Sequence, residues 1–125
     1  MNNLNEKLKQ LKIEDFIWII YIGIIFLSWY SNSLEKDYYC FNNIESKEKY
    51  RKIIIIIFAI LVIVYSYFLI DAYNSLKNIN ENTKEETKKL LYLSFLASSL
   101  IFISGLIFLY IAIKDEDLNV ELAFN

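Results

Sequence analysis

The feature that most constrains the fold is a run of 24 residues without a charged side chain, residues 90–113. Lys88 and Lys89 stand directly before this run, and Lys114 and Asp115 follow it. As an α-helix with a rise of about 1.5 Å per residue, the run would be about 36 Å long, whereas the hydrocarbon layer of a bilayer is about 30 Å thick. The run is therefore predicted to cross a membrane as a tilted helix.

Two further uncharged runs, residues 16–34 and 53–70, contain 19 and 18 residues. A chain of 125 residues is too small to bury three such helices in a water-soluble core. The five isoleucines that open the second run could also form a buried strand, but a lone strand cannot satisfy its backbone in lipid. We therefore predict an all-α membrane protein with three transmembrane helices in one membrane domain, residues 1–125.

The segment before the first run, residues 1–15, carries Leu4, Leu8 and Leu11 at helical spacing, with lysines between them. This pattern predicts a short amphipathic helix. Two interpretations stay open for it: a helix that lies on anionic lipid headgroups, or the polar start of the first span.

The first run also imitates a secretory signal, because the small residues Ser31 and Ser33 follow a short apolar core. The bulky Trp29 and Tyr30 would crowd a cleavage site at that position, which favours an uncleaved span. Trp18, Trp29 and Tyr30 are instead predicted to be interface anchors, since aromatic rings of this kind concentrate at the headgroup level.

Residues 35–52 are predicted to connect the first two spans and end in four cations directly before Ile53. A charged helix start explains these cations more simply than a clamp for anionic lipid. Helical spacing continues beyond residue 70 to about residue 79, and Thr83 with Glu86 fits a capping box. The third helix is thus expected over residues 84–113, in a long antiparallel hairpin with the second.

Small residues recur every seven positions in the second and third runs, which predicts packing faces because small side chains let helix backbones approach closely in lipid. A chance distribution of serine and alanine is the competing explanation. The candidate packing residues are Ala59, Ser66, Ala97, Ser98, Ser104, Gly105 and Ala112.

The three runs contain no acidic, basic or histidine side chain, although proton relays and ion-coupled transporters place such groups there. The chain has no histidine and only Cys40 as a thiol, so one copy offers no Cys/His metal site. Its serines lack a partner base, and two glycines cannot build a phosphate loop. We expect no enzyme, no cofactor and no identifiable small-molecule substrate. A net charge of −2 also gives no reason to expect a nucleic-acid partner.

The tail, residues 114–125, is acidic, with oxygen-bearing side chains at every second position from Asp115 to Glu121. This alternation resembles the start of a calcium loop, but the turn glycine and the distant bidentate glutamate are missing. A solvated acidic tail is the favoured interpretation.

Many Ile, Asn, Lys and Tyr residues, with two glycines and no proline, are typical of chains encoded by AT-rich bacterial genomes, so we expect the bacterial plasma membrane. With the amino terminus in the cytoplasm and the carboxyl terminus outside, seven Lys and Arg residues lie inside and six outside. The charge rule therefore barely discriminates, and the amphipathic leader favours this orientation.

Two function classes follow. The first is a noncatalytic accessory, anchoring or scaffold protein that forms a homo-oligomer or binds another membrane protein through its small-residue faces. The second is a self-assembling pore: three spans in a short chain with charged ends resemble the small phage holins, although the acidic tail differs from the basic tail usual there. A pore also needs a polar stripe along each span, which the hydroxyls of the third run supply only in its first half.

Overall fold

The computed structural model describes residues 2–122, and within them the chain folds into three α-helices. Helix α1 comprises Asn2–Phe41, α2 comprises Ile44–Lys77, and α3 comprises Glu85–Lys114. The prediction of an all-α fold is therefore confirmed for the described part of the chain. The apolar end of the tail, with Ala123 and Phe124, lies outside the described residues.

Helix α1 runs without a break through 40 residues, so the prediction of a short, separate amphipathic helix over residues 1–15 is wrong. The chain has no proline, and its first glycine is Gly23, so nothing in this stretch removes a backbone donor or favours a turn. Glu14 and Asp15 are accommodated within the helix. The leucines of the predicted leader remain exposed: Leu4, Leu8 and Leu11.

One stripe of α1 is shielded from solvent at a spacing of seven residues, at Ile17, Ile24 and Ser31. Ser31 is completely buried, and its hydroxyl donates a hydrogen bond of 2.7 Å to the carbonyl oxygen of Ser28. This local bond satisfies the buried hydroxyl without a partner from elsewhere. The segment that imitates a cleavage site therefore lies inside a continuous helix.

The predicted connection over residues 35–52 is helical except at Asn42 and Asn43, where α1 ends and α2 begins. Asn42 has a φ of 51°, the left-handed conformation that commonly ends a helix and that asparagine tolerates better than most residues. The side-chain oxygen of Asn43 accepts a hydrogen bond of 3.3 Å from the backbone N–H of Ser46. Asn43 thus caps α2, and two asparagines replace the long loop that the charge pattern indicated.

A cation–π contact joins the two helices across this corner. The Nζ atom of Lys47, in the first turns of α2, lies 5.3 Å from the centroid of the Tyr38 ring near the end of α1. At an exposed site such a contact contributes about 0.5–1 kcal/mol.

Helix α2 passes beyond the end of its uncharged run at Ile70 and stops at Lys77, two residues before the predicted end. The turn that follows is closed by its own side chains. Thr83 Oγ1 accepts a hydrogen bond of 3.1 Å from the backbone N–H of Asn80, and Asn80 Oδ1 accepts one of 2.9 Å from the N–H of Asn82.

Helix α3 begins at Glu85, within one residue of the predicted start, but the predicted capping box is wrong. The residue at the cap position is Lys84, which makes no side-chain cap hydrogen bond. The Thr83 hydroxyl is instead committed to Asn80, to whose side-chain oxygen it donates a bond of 3.2 Å. Glu85 and Glu86 compensate in part, because acidic side chains in the first turn interact favourably with the helix dipole.

The chain divides into two compact units, one with α1 and the start of α2 up to Ile54, the other from Ile55 onward. In the second unit, α2 and α3 pack antiparallel. The ring of Phe58 lies against Phe108, and that of Tyr73 lies against Phe95. Later residues of α2 therefore contact earlier residues of α3, as in an antiparallel pair. We call this arrangement the α2–α3 hairpin.

Both helices of this hairpin are long and apolar enough to cross a membrane. Their most apolar windows of 18 residues have mean hydropathies of 3.1 in α2 and 2.4 in α3. Only 28% of that window is buried within the protein in α2, and 11% in α3. The core helix of a soluble protein is mostly buried, so these values favour helices that face lipid.

The asparagine corner generates a test. Asn43→Ala removes the acceptor that caps α2 and is expected to lower the free energy of unfolding by about 1 kcal/mol. Asn43→Asp keeps an oxygen at the same position and serves as the control. Both variants are compared with the parent chain by denaturant titration in detergent micelles, followed by far-UV circular dichroism. Equal stability of the alanine and aspartate variants would contradict the assigned cap.

Candidate helix-packing and membrane-facing surfaces

The small residues of α3 fall into two rows with different environments. In the first row, Gly105 and Ala112 are buried and Ser98 is partly buried. In the second row, Ala97 and Ser104 are exposed. Adjacent positions on a helix are about 100° apart, so a row that faces α2 leaves its neighbour turned away.

Gly105 is a point of close approach between α2 and α3. A Cβ atom placed on it would lie 3.0 Å from Cδ2 of Tyr65 and 3.4 Å from Cγ2 of Val62. The separation from the Tyr65 ring is tighter than ordinary van der Waals contact, so even one methyl group would require the ring to move by a few tenths of an ångström. The absent side chain of Gly105 thus makes room for the Tyr65 ring.

Aromatic pairs bracket this close approach along the hairpin. The ring centroids of Phe58 and Phe108 are 5.6 Å apart, with planes inclined at 30°, and those of Tyr73 and Phe95 are 6.1 Å apart. Each pair contributes about 0.5–1.5 kcal/mol beyond the area it buries. Aromatic contacts at both sides and a glycine between them define the packed face of the hairpin.

The small residues predicted on α2 do not supply the atoms nearest to Gly105. Ala59 and Ser66 are partly buried, and the contacts to Gly105 come from Val62 and Tyr65. The Ser66 hydroxyl donates a hydrogen bond of 2.6 Å to the carbonyl oxygen of Ile63 in its own helix. Large side chains of α2 therefore pack on a small residue of α3. The sequence pattern leaves two partners open for the small residues, the other small-residue row of the hairpin or a second copy of the chain.

The predicted interface anchors all project outward from α1. Trp18 is 64% exposed, Trp29 is 69% exposed and Tyr30 is 52% exposed. Eleven residues separate the two tryptophans, close to three helical turns, so both lie on one face of α1 and about 16 Å apart along its axis. Trp18 also contacts Tyr21 edge-to-face, at a centroid distance of 5.7 Å.

Large apolar side chains are exposed along the outer surface of the hairpin, including Ile56, Ile63, Leu100, Ile103 and Ile107. Each of them has half or more of its surface uncovered. Soluble monomers rarely expose contiguous apolar patches above a few hundred Å². This surface is the main candidate for contact with lipid or with another apolar helix.

Metal-ligating side chains do not cluster within residues 2–122. No group of three or more His, Cys, Asp or Glu side chains in this part of the chain could hold a metal ion. In the tail, where a calcium loop was considered, the Asp115 carboxylate accepts hydrogen bonds of 3.0 Å from the N–H of Asn119 and 2.7 Å from that of Val120. These bonds close a turn at the start of the tail.

Two features of these surfaces were absent from the sequence analysis. The close contact of Tyr65 and Val62 with Gly105 was missed, because spacing alone does not reveal which face of α2 opposes a given face of α3. The capping role of Asn43 was missed too, although consecutive asparagines between two helical segments are a recognisable signal for a left-handed residue followed by a cap.

Comparison of the chain with protein-family models, with curated proteins and with solved structures finds no match.

The two glycines provide a matched pair of variants. Gly105→Leu inserts a branched side chain where Tyr65 and Val62 leave no room and is expected to lower the free energy of unfolding by about 2 kcal/mol. Gly23→Leu is the control, because a Cβ atom there meets no other atom within 4 Å. Stability in detergent is measured for both variants. A loss at Gly23 equal to that at Gly105 would contradict the assigned contact.

Proposed function

We propose that the chain is a small polytopic integral membrane protein of noncatalytic type. It serves as an accessory, anchoring or scaffold protein and acts through helix–helix association. The single observation that carries the proposal is the exposed, uncharged surface of the α2–α3 hairpin, whose helices are long and apolar enough to cross a membrane. In water this surface would drive aggregation, whereas in a bilayer acyl chains solvate it.

The proposal includes three crossings, at residues 16–34, 53–70 and 90–113. Helices α2 and α3 supply the second and third. For the first, 19 uncharged residues would give about 28 Å of helix, close to the thickness of the hydrocarbon layer. The exposed Trp18 and Trp29 then anchor α1 near its two headgroup regions.

A noncatalytic role accords with the chemistry of the spans. The three runs contain no titratable acid or base other than tyrosine, and the few hydroxyls with defined partners bond to carbonyls of their own helix. Acid–base catalysis and ion coupling both need groups of matched pKa at the reacting centre. Association needs only a complementary surface, and the exposed row of Ala97 and Ser104 allows close approach of a second copy or of another membrane protein.

Measurement of the membrane potential distinguishes the proposed role from the alternative of a self-assembling pore. The chain is expressed in a bacterial host, and the potential is followed with a voltage-sensitive dye alongside an empty-vector control. Under the proposed role the potential stays at the control value, and gentle detergent extraction yields a discrete oligomer or a stable complex. Collapse of the potential within minutes of induction would contradict the proposal and favour a pore.

Cys40 tests the proposed orientation, with the amino terminus in the cytoplasm and the carboxyl terminus outside the bacterial plasma membrane. It is the one cysteine of the chain, it is exposed, and it lies between the first and second spans. We expect a membrane-impermeant maleimide to label it in intact cells, with Cys40→Ser as the unlabelled control. Labelling only after lysis would place this segment in the cytoplasm and reverse the orientation.

A further inference from the structure

The uncharged runs of the two hairpin helices have unequal lengths. The run of α2 has 18 residues and that of α3 has 24, which correspond to about 27 Å and about 36 Å of helix. Phe58 lies five residues after the start of the α2 run, and its partner Phe108 lies five residues before the end of the α3 run. The two runs are therefore level at the end of the hairpin remote from the turn.

The additional length of the α3 run therefore lies entirely at the end of the hairpin that carries the turn. Tyr73 is three residues beyond the end of the α2 run, yet its ring contacts Phe95, which is already five residues inside the α3 run. Asp71 precedes Tyr73 by two residues and so lies farther still from the turn. A polar stretch of α2 with Asp71, Asn74 and Ser75 thus runs beside an apolar stretch of α3, over about 10 Å.

The excess segment of α3, residues 90–96, is uncharged, and four of its large apolar side chains are exposed on the side away from the Tyr73–Phe95 contact or beyond it. Leu90, Tyr92, Leu93 and Leu96 are each at least half exposed. Leu93 continues the exposed row of Leu100 and Ile107, and Leu96 continues that of Ile103 and Tyr110, at a spacing of seven residues. The exposed surface of α3 carries no charged side chain from mid-helix back to residue 90, and the first charged residues in that direction are Lys88 and Lys89.

The neighbouring stretch of α2 has the opposite character. Asn74 is exposed, and Asp71 and Ser75 are partly buried. The Ser75 hydroxyl donates a hydrogen bond of 3.1 Å to the carbonyl oxygen of Asp71, within the helix. The exposed amide of Asn74 has a strong demand for water, because an amide buried in hydrocarbon without a hydrogen-bond partner is costly.

We infer that acyl chains of the bilayer cover residues 90–96 of α3, so that Asp71, Asn74 and Ser75 lie below the headgroup level set by α3. This inference rests on the proposed membrane location. The bilayer then thins on the α2 side, and water and headgroups reach down to Asn74, because local thinning is the inexpensive response to mismatch and hydrates polar groups at depth. The hairpin thus presents one thick and one thin flank to the lipid.

The experiment measures the depth of single labels in the full chain. In a Cys40→Ser background, a nitroxide is attached to one cysteine at a time: Leu93→Cys or Leu96→Cys on the excess segment, Asn74→Cys opposite it, Ile103→Cys in mid-span and Glu81→Cys at the turn. Each protein is reconstituted in phosphatidylcholine–phosphatidylglycerol vesicles. Collision with oxygen, which concentrates in lipid, and with a water-soluble nickel chelate is then recorded.

We expect labels at positions 93 and 96 to behave like the label at position 103, with high oxygen and low nickel accessibility. Nickel accessibility of the label at position 74 should be several-fold higher than at position 96. Nickel accessibility at Leu93 and Leu96 equal to that at Glu81 would place the segment above the membrane and overturn the inference. Low accessibility of Leu93 and Leu96 to both oxygen and nickel would show that protein covers the segment, and this result would also overturn the inference. High oxygen accessibility with low nickel accessibility at Asn74 would overturn it as well. Nickel access at Ile103 would instead refute the membrane location itself.

Discussion

Backbone hydrogen bonding in a medium without water is the constraint on which the rest of this structure depends. A chain segment in hydrocarbon must satisfy every N–H and C=O group internally, and a helix does so within itself. In the proposed membrane location, this requirement accounts for helix at the isoleucine-rich start of the second run, although β-branched residues favour strands in water. The apolar side chains that α2 and α3 leave uncovered would there be solvated by lipid as well as by a protein core.

With no hydrophobic force between helices in lipid, contact depends on how closely backbones and side chains fit. The hairpin meets this demand by setting Gly105 under the Tyr65 ring and by stacking aromatic side chains to either side. Dispersion between closely fitted atoms is individually weak, so the missing side chain of one glycine has a disproportionate effect. The row of Ala97 and Ser104 is the small-residue row of α3 that the hairpin leaves uncovered, and it is the surface on which the proposed association with a second copy or another membrane protein depends.

How far the sequence predicts the fold varies with the kind of signal. All three uncharged runs lie within helices, residues 16–34 in α1, 53–70 in α2 and 90–113 in α3, because a whole run of apolar residues carries the information and single residues hardly alter it. Boundaries were less accurate. The many charges of residues 35–52 predict a connection, because charged stretches often form loops. Exposed charges are equally compatible with a helix surface, and only Asn42 and Asn43 are non-helical in this segment. Thr83 fits a capping box in sequence, but its hydroxyl bonds to Asn80 instead. For the packing surface, the sevenfold spacing picks out two rows on α3, and it does not tell that the row of Ser98, Gly105 and Ala112 is the one turned toward α2. The partner residues Val62 and Tyr65 likewise depend on the rotation of α2, which no single-helix pattern contains.

The central claim is that lipid surrounds the outer faces of the α2–α3 hairpin, and partition of the chain between membrane and water tests it most directly. Cells that produce the chain are lysed without detergent, and the lysate is separated by high-speed centrifugation. A chain surrounded by lipid is expected to sediment with the membranes, to stay there after an alkaline carbonate wash and to be released by detergent. A monodisperse chain in the detergent-free supernatant would contradict this claim.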